Sequence, residues 1–321
     1  MARKPRHILP GYLTEITLKT FQARFLLSPN PLLNRLVVGV FAMAQMLTGL
    51  EICAVIVMSN HLHLLCVPDS EHQLMRFCQY IGSSISKEVG KLRNWTGGIF
   101  RRRYSDIVVT HEPGAQVARL RYLLSHGVKE SLCRRPQDWP GVNSVTALLS
   151  GQNRLEGIWI DRTSLWEANR KATRKKARRG KRPRTADHTD NVVLHLSKLP
   201  VWRELSDEAY RAHVKELIDE ILDEFEEERM RAPKNPREAL VEQPEYRPQK
   251  TKSSPKPECH AASTAERRRF LELRREFLRA YSEASALLRE GVRRAIDLFP
   301  DGSFLPPIGL HLLVQAEPTT G

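Results

Sequence analysis

Disulfide-framework spacing is missing from this chain. Its five cysteines (Cys53, Cys66, Cys78, Cys133, Cys259) are scattered over 321 residues without a CxxC pair. Cys53 and Cys66 fall in apolar runs, where a free thiol behaves as a small buried hydrophobe. An odd, unframed set points to a reducing compartment. The opening Met1-Ala-Arg-Lys-Pro-Arg-His7 has no apolar core of a secretion signal. The apolar stretch Leu36–Leu50 is short for a membrane span and reads as a buried helix. A soluble, cytoplasmic protein without a membrane partner is therefore expected. No internal repeat is present. Acidic residues are the scarcer charge, 37 against 51 Lys and Arg, leaving a formal net charge of +14. That excess favours a polyanionic partner, nucleic acid above a membrane surface, although a ribosomal or chaperone-like protein has a similar balance.

The pattern along the first 150 residues alternates strand and helix. Tyr12, Thr14, Ile16 and Leu18 alternate with Leu13, Glu15, Thr17 and Lys19 inside a β-rich run over 8–27. Ser28-Pro-Asn-Pro31 breaks it, and an apolar helix follows over Leu32–Leu50, with small residues Gly39, Ala42 and Ala44. Strands are expected at Ile52–Met58 and His61–Val67, as one bent strand or a hairpin across Ser59-Asn60. Helical spacing marks Glu71–Leu92, a strand Ile99–Thr110, and a helix about Ala115–Lys129 after Pro113-Gly114. This order suits helices packed on a mainly antiparallel sheet.

Beyond residue 150 the composition changes. A basic linker is expected over 151–200, because Arg170–Arg184 is a dense basic run containing Arg174, Lys175, Lys176, Arg178 and Arg179. Such a run is solvated alone, with nucleic-acid contact as its functional alternative. An amphipathic helix (Leu205–Glu228 within 201–230) ends in an acidic stretch, Asp223–Glu228. A flexible linker over 231–263 and a C-terminal helical region over 264–321, with its helix near Thr264–Leu298, complete the chain.

After Ser59-Asn60 the apolar run Ile52–Val67 resumes with His61-Leu62-His63. Alternate side chains on a strand share a face, so both imidazoles point one way while Leu62 and Leu64 face the core. Two imidazoles so placed can grip a divalent cation, although a lone His-x-His is more often solvated. Tyr122 and His126 lie four apart, hence one turn apart on one helix face. A phenol and a third imidazole facing the pair would set a nucleophile beside a metal site. The plainer alternative is packing for Tyr122, with Gly127 as a helix cap.

In order, these motifs resemble the single-tyrosine HUH transposases, most closely the REP-associated (RAYT-type) tyrosine transposases. Met58-Ser-Asn-His-Leu-His-Leu-Leu65 is similar to their Met-Pro-Asn-His-Val-His-Leu-Leu signature, and Phe100-Arg-Arg-Arg-Tyr-Ser-Asp106 to their Trp-Gln-Arg-Arg-Tyr-Tyr-Asp strand. Tyr122-Leu-Leu-Ser-His-Gly-Val-Lys129 resembles their Tyr-Ile-x-x-Asn-Pro-Val-Lys helix end, and Trp139-Pro140 falls where they carry a Trp. The match covers roughly residues 6–150.

The resemblance implies an α+β, ferredoxin-like HUH nuclease sandwich, followed by a mainly helical, partly disordered C-terminal region. It implies a transposase that cuts single-stranded or hairpin DNA and transfers the strand. Tyr122 would attack phosphorus to give a 5′-phosphotyrosine and a free 3′-OH. His61, His63 and His126 would hold Mg²⁺ or Mn²⁺. Ser59 departs from the family Pro, and His126-Gly127 replaces Asn-Pro. Three imidazoles make a softer site that shifts preference toward Mn²⁺ or Zn²⁺. Tyr104 is the rival nucleophile. Arg101, Arg102, Arg103, Arg119, Arg121 and Lys129 join the basic run as candidate DNA contacts. Two alternatives stay open. One is a catalytically silent DNA- or RNA-binding protein on this fold. The other is a replication-initiator or relaxase-type nickase, which the lack of a GxxxxGK[ST] pattern disfavours. Monomer and homodimer, with Tyr122 serving the partner's site, both remain open.

Overall fold

The structure, a computed structural model, describes residues 5–101, 103–175, 183–240, 243, 246–248 and 256–306. The N-terminal elements run β1 (Thr14–Lys19), α1 (Pro31–Thr48), β2 (Glu51–Val57), β3 (His61–Val67), α2 (Glu71–Arg93) and β4 (Ser105–Val109). These four strands pair antiparallel in the order β2-β3-β1-β4, the ferredoxin-like arrangement, so the fold is α+β as expected. A backbone hydrogen bond from Met58 N to His61 O (2.8 Å) closes the turn between β2 and β3. Residues 52–67 are thus a hairpin rather than one bent strand.

Local chemistry sets the helix ends. Asn30 accepts from the backbone N–H of Leu32 and Leu33, Pro31 fills the first turn, and Gly49 closes α1 at φ 70°. α1 and α2 pack together on one face of the sheet, Phe41 and Phe77 lying 6.4 Å apart. Leu62, Leu64, Ile81 and Ile85 are fully buried, each worth roughly 1.5–3 kcal/mol relative to exposure. On the other sheet face Glu15, Thr17, His61 and His63 alternate with these core residues. The five cysteines are free and buried, in keeping with their reading as small hydrophobes.

Several elements differ from the sequence expectation. The fourth strand begins at Ser105, not Ile99, with only an isolated bridge from Phe100 to Thr20 before it. The helix expected over Ala115–Lys129 is α3 (Pro113–Leu124) followed by α4 (His126–Lys129). Ser125 between them keeps helical torsions (φ −76°, ψ −9°), so the face carrying Tyr122 continues to His126. Gly127 is not a cap; it lies inside α4, packed on Cys133 and Trp139.

The expected linker over 151–200 contains β5 (Arg154–Ile160), α6 (Arg162–Lys175) and β6 (Thr189–His195), after a short α5 (Val145–Ser150). β5 and β6 form a separate antiparallel pair against α1. Gly39 and Gly157 are the reason they fit: a Cβ at either would overlap backbone of the other element. α1 is long and apolar enough to cross a membrane, yet half of it is buried within the fold and its Gly39 packs on the backbone of β5.

The predicted amphipathic helix is α7 (Asp207–Glu224), capped by Ser206, then α8 (Glu226–Arg231); Val214, Leu217, Ile218 and Ile221 join the main core. The linker over 231–263 holds a short strand, β7 (Cys259–His260), which adds to β4 in parallel as a fifth strand. α9 (Thr264–Arg289) ends before a separate 3₁₀ segment, Arg293–Leu298.

α9 packs on the N-terminal segment through the His7 ring, stacked 4.0 Å from Phe277, and the chain beyond the 3₁₀ segment is held there by Ile8 N donating to Gly302 O (3.1 Å). Burial, aided by the nearby Arg274 charge, pushes His7 down to about 4. Above the unfolded value of 6.5 both states leave His7 neutral. Between 6.5 and about 4 only the unfolded or undocked chain takes up the proton. Stability therefore falls with acidification over that window, by roughly 3 kcal/mol in total. A melting series from pH 7.5 to 4 is expected to show this loss, and His7→Phe, which keeps the stack, is expected to remove the His7 share of the slope while the buried His61 and His126 keep theirs.

Candidate metal centre and nucleophile

Among the described residues, His61, His63 and His126 bring one ligand atom each to within 4.8 Å of one another. β3 supplies the first two from alternate positions on one sheet face, and α4 lowers the third onto them. His61 Nε2 and His126 Nε2 lie 2.9 Å apart. His61 Nδ1 is 2.6 Å from Asn60 Oδ1, which can only accept, so that nitrogen carries the proton and His61 Nε2 keeps its lone pair.

His63 is fixed in the same way. Its Nδ1 is 2.7 Å from Glu15 Oε1, with Thr17 Oγ1 at 3.2 Å. A carboxylate holding Nδ1–H leaves Nε2 free toward the cluster and makes it a better ligand. His126 Nδ1 is buried without a hydrogen-bond partner. In the protein without metal, His126 then donates from Nε2 to His61. A cation replacing that proton would let His126 serve as the third nitrogen ligand. The donor set is three imidazoles, which suits Mn²⁺ or Zn²⁺ better than Mg²⁺.

Burial keeps His61 and His126 neutral. It lowers His126 to about 3, helped by the charges of His63 and Lys129. His61 is held well below its ordinary value by burial, then by His63, His126 and Lys19. Neither imidazole spends lone pairs on protons near neutrality.

Tyr122 sits against this cluster, its ring 5.3 Å from His126 and 5.8 Å from His63, both edge to face. The Arg119 guanidinium lies over the Tyr122 ring at 3.7 Å from its centre, and Lys129 Nζ at 5.1 Å. Burial raises the Tyr122 phenol, and Arg119 works against that rise. The phenol is thus protonated at rest with a cation beside it. Tyrosine and all three histidines belong to one chain, so a second copy is not needed to assemble them.

Tyr104 is placed elsewhere. Its ring lies under Arg6 at 3.5 Å, and Arg6 also donates to the Tyr104 carbonyl (2.6 Å) and pairs with Asp106 (2.8 Å). Its hydroxyl is buried, and burial pushes it far above the ordinary phenol value. Tyr104 lies just before β4, and among the described residues no imidazole packs on its ring.

The candidate basic contacts divide. Arg119 points into the site, pairing with Glu15 Oε2 at 3.0 Å. Arg121, two residues on and roughly 200° round the helix, faces α7 and pairs with Glu220 (3.5 Å) and Glu224. The acidic face of α7 thus covers at least this one basic side chain. Arg101 is exposed, and its N–H bonds Lys19 O, beside the row that carries His61. Arg103 is also exposed. Arg174 and Lys175 close α6; Arg102, Lys176, Arg178 and Arg179 lie outside the described residues.

Two residues of the site had no place in the sequence reading: Glu15 and His260. Glu15 is 4 % exposed and gathers His63, Arg119 and His260. Burial alone pushes its carboxyl up; hydrogen bonds from His260 and His63 and the charges of His63 and Arg119 overcome this and hold it well below the usual range. The signal for Glu15 was the polar alternation Glu15, Thr17, Lys19 on β1. His260 gave none.

No protein-family model matches the chain, and no curated protein matches it. Among solved structures it resembles a REP-associated tyrosine transposase bound to a REP hairpin, at 15% identity over 47% of this chain and 86% of that one, with a TM-score of 0.40. It also resembles a protein of Deinococcus radiodurans R1 provisionally named a transposase, at 16% identity over 37% of this chain and 95% of that one, with a TM-score of 0.24.

Proposed function

We propose that the chain is a metal-dependent single-stranded DNA endonuclease and strand transferase of the transposase type, acting through Tyr122. The observation that carries this reading is the juxtaposition of three converging imidazoles with a half-buried tyrosine under a guanidinium. That set has no structural purpose that apolar side chains would not serve better.

His61, His63 and His126 hold the cation, which when bound supplies Lewis-acid polarisation of the scissile phosphate. Arg119 steadies the developing phenolate of Tyr122. Tyr122 Oη forms a bond to phosphorus and the P–O3′ bond breaks, its electron pair leaving with O3′. The phenol proton, passed through solvent, ends on the new 3′-OH. The product is a 5′-phosphotyrosine that keeps the bond energy for transfer to another 3′-OH by the reverse step. Arg101 and Arg103, both exposed, would supply charge to the phosphates of an incoming strand.

The test is incubation of the purified chain with a labelled single-stranded hairpin. With Mn²⁺ an SDS-resistant protein–DNA adduct is expected, and with EDTA none. Tight binding without any adduct would instead support the silent nucleic-acid-binding alternative.

A further inference from the structure

We propose that His260, carried on the short C-terminal strand β7, is a positioning residue of this site. It lies 245 positions along the chain from Glu15, yet its Nε2 is 3.1 Å from Glu15 Oε2. Arg119 Nη1 lies against the same ring, 3.2 Å from Nε2 and 3.4 Å from Nδ1; with Nε2–H donated to Glu15, Nδ1 is the nitrogen able to accept from it. His260 therefore touches both groups that prepare the chemistry: the carboxylate that orients His63, and the guanidinium over Tyr122.

The surrounding segment is built to hold it. Cys259 and His260 pair in parallel with Val108 and Val109, and Thr110 N donates to His260 O (2.9 Å). Ala262 N and Ser263 N both donate to Glu112 Oε2, at 2.8 and 3.3 Å. Glu112 immediately precedes α3, so the C-terminal segment grips that helix at its start and again at Arg119, one turn before Tyr122. His63, His260 and Arg119 are thereby tied to one another through Glu15 and His260, Arg119 by its ion pair with Glu15 and its contact with the His260 ring. Without His260, Oε2 of a buried carboxylate keeps only Arg119, and Arg119 gains freedom to leave the tyrosine ring. The consequence is that residues 256–263 complete the site, rather than serving as an accessory linker.

This inference rests on the nucleolytic role of Tyr122, and its test separates the two. In the full-length chain, Co²⁺ affinity is read from its visible absorption, and single-turnover adduct formation from the labelled hairpin with Mn²⁺. His260→Ala is expected to slow adduct formation about 10-fold and weaken Co²⁺ binding about 5-fold, near the low end of outer-shell effects, with hairpin affinity unchanged. His260→Gln, which can still donate to Glu15, is expected to recover most of both losses. Should the alanine variant fail to fold, His260→Phe is compared with His260→Gln in the same two assays. An alanine variant equal to wild type in both, or a glutamine variant as impaired as alanine or phenylalanine, overturns the proposal. Wild type that binds Co²⁺ yet forms no adduct defeats the nucleolytic reading, and the Co²⁺ comparison then decides His260 alone. Wild type that binds no Co²⁺ overturns both.

Discussion

Tyr122→Phe is expected to abolish the covalent DNA adduct, lowering its rate by at least about 10³-fold, the scale on which removal of a nucleophile acts. The ring stays, and with it the packing against His126 and His63 and the contact with Arg119. Stability is therefore expected to change by less than about 1 kcal/mol, and hairpin and metal affinities to stay near wild type. Tyr104→Phe is the control. Its hydroxyl is buried under Arg6, away from the imidazoles, so adduct formation is expected to persist at close to the wild-type rate. The reverse pattern, loss in Tyr104→Phe and retention in Tyr122→Phe, would move the nucleophile to the edge of β4. Adduct quantification on denaturing gels distinguishes these outcomes.

His61→Ala carries the second large effect. His61 contributes one of three converging nitrogens, held neutral by burial and aimed by Asn60. Losing a direct ligand is expected to weaken Co²⁺ or Mn²⁺ binding beyond the roughly 10–100-fold typical of an outer-shell partner, and adduct formation should fall in parallel. Hairpin affinity without metal should hold, because the exposed arginines are untouched. Calorimetric titration with the metal provides the check. An unchanged metal affinity would return His61 to the status of a half-buried strand histidine.

Much of this site was legible because it obeys short periods. A two-residue period on β3 puts His61 and His63 together, and a four-residue period puts Tyr122 beside His126. The second survives the end of α3 only because Ser125 stays helical. The same helical arithmetic separates Arg119 from Arg121, a distinction lost when both are counted as positive charge. Glu15 was half visible, as a polar residue in an otherwise apolar strand, but its role depends on the register that sets Thr17 opposite His63. His260 was invisible. Its strand is two residues long and sits in a Pro- and Lys-rich stretch, and its partner is at the far end of the chain. β5 and β6 were hidden for another reason: the basic run between them dominates the local composition, whereas the contact that orders them is the close approach of Gly39 to Gly157.

Cleavage chemistry leaves a mark on the residue that performs it. The most direct measurement is to trap the adduct with Mn²⁺, trim the DNA to a nucleotide remnant, digest with trypsin and locate the modified residue by mass spectrometry. The remnant is expected on Tyr122, in the peptide that follows Arg121 and ends at Lys129. A remnant on Tyr104, or an adduct that forms with Tyr122 unmodified, would contradict the assignment of the metal centre and its nucleophile.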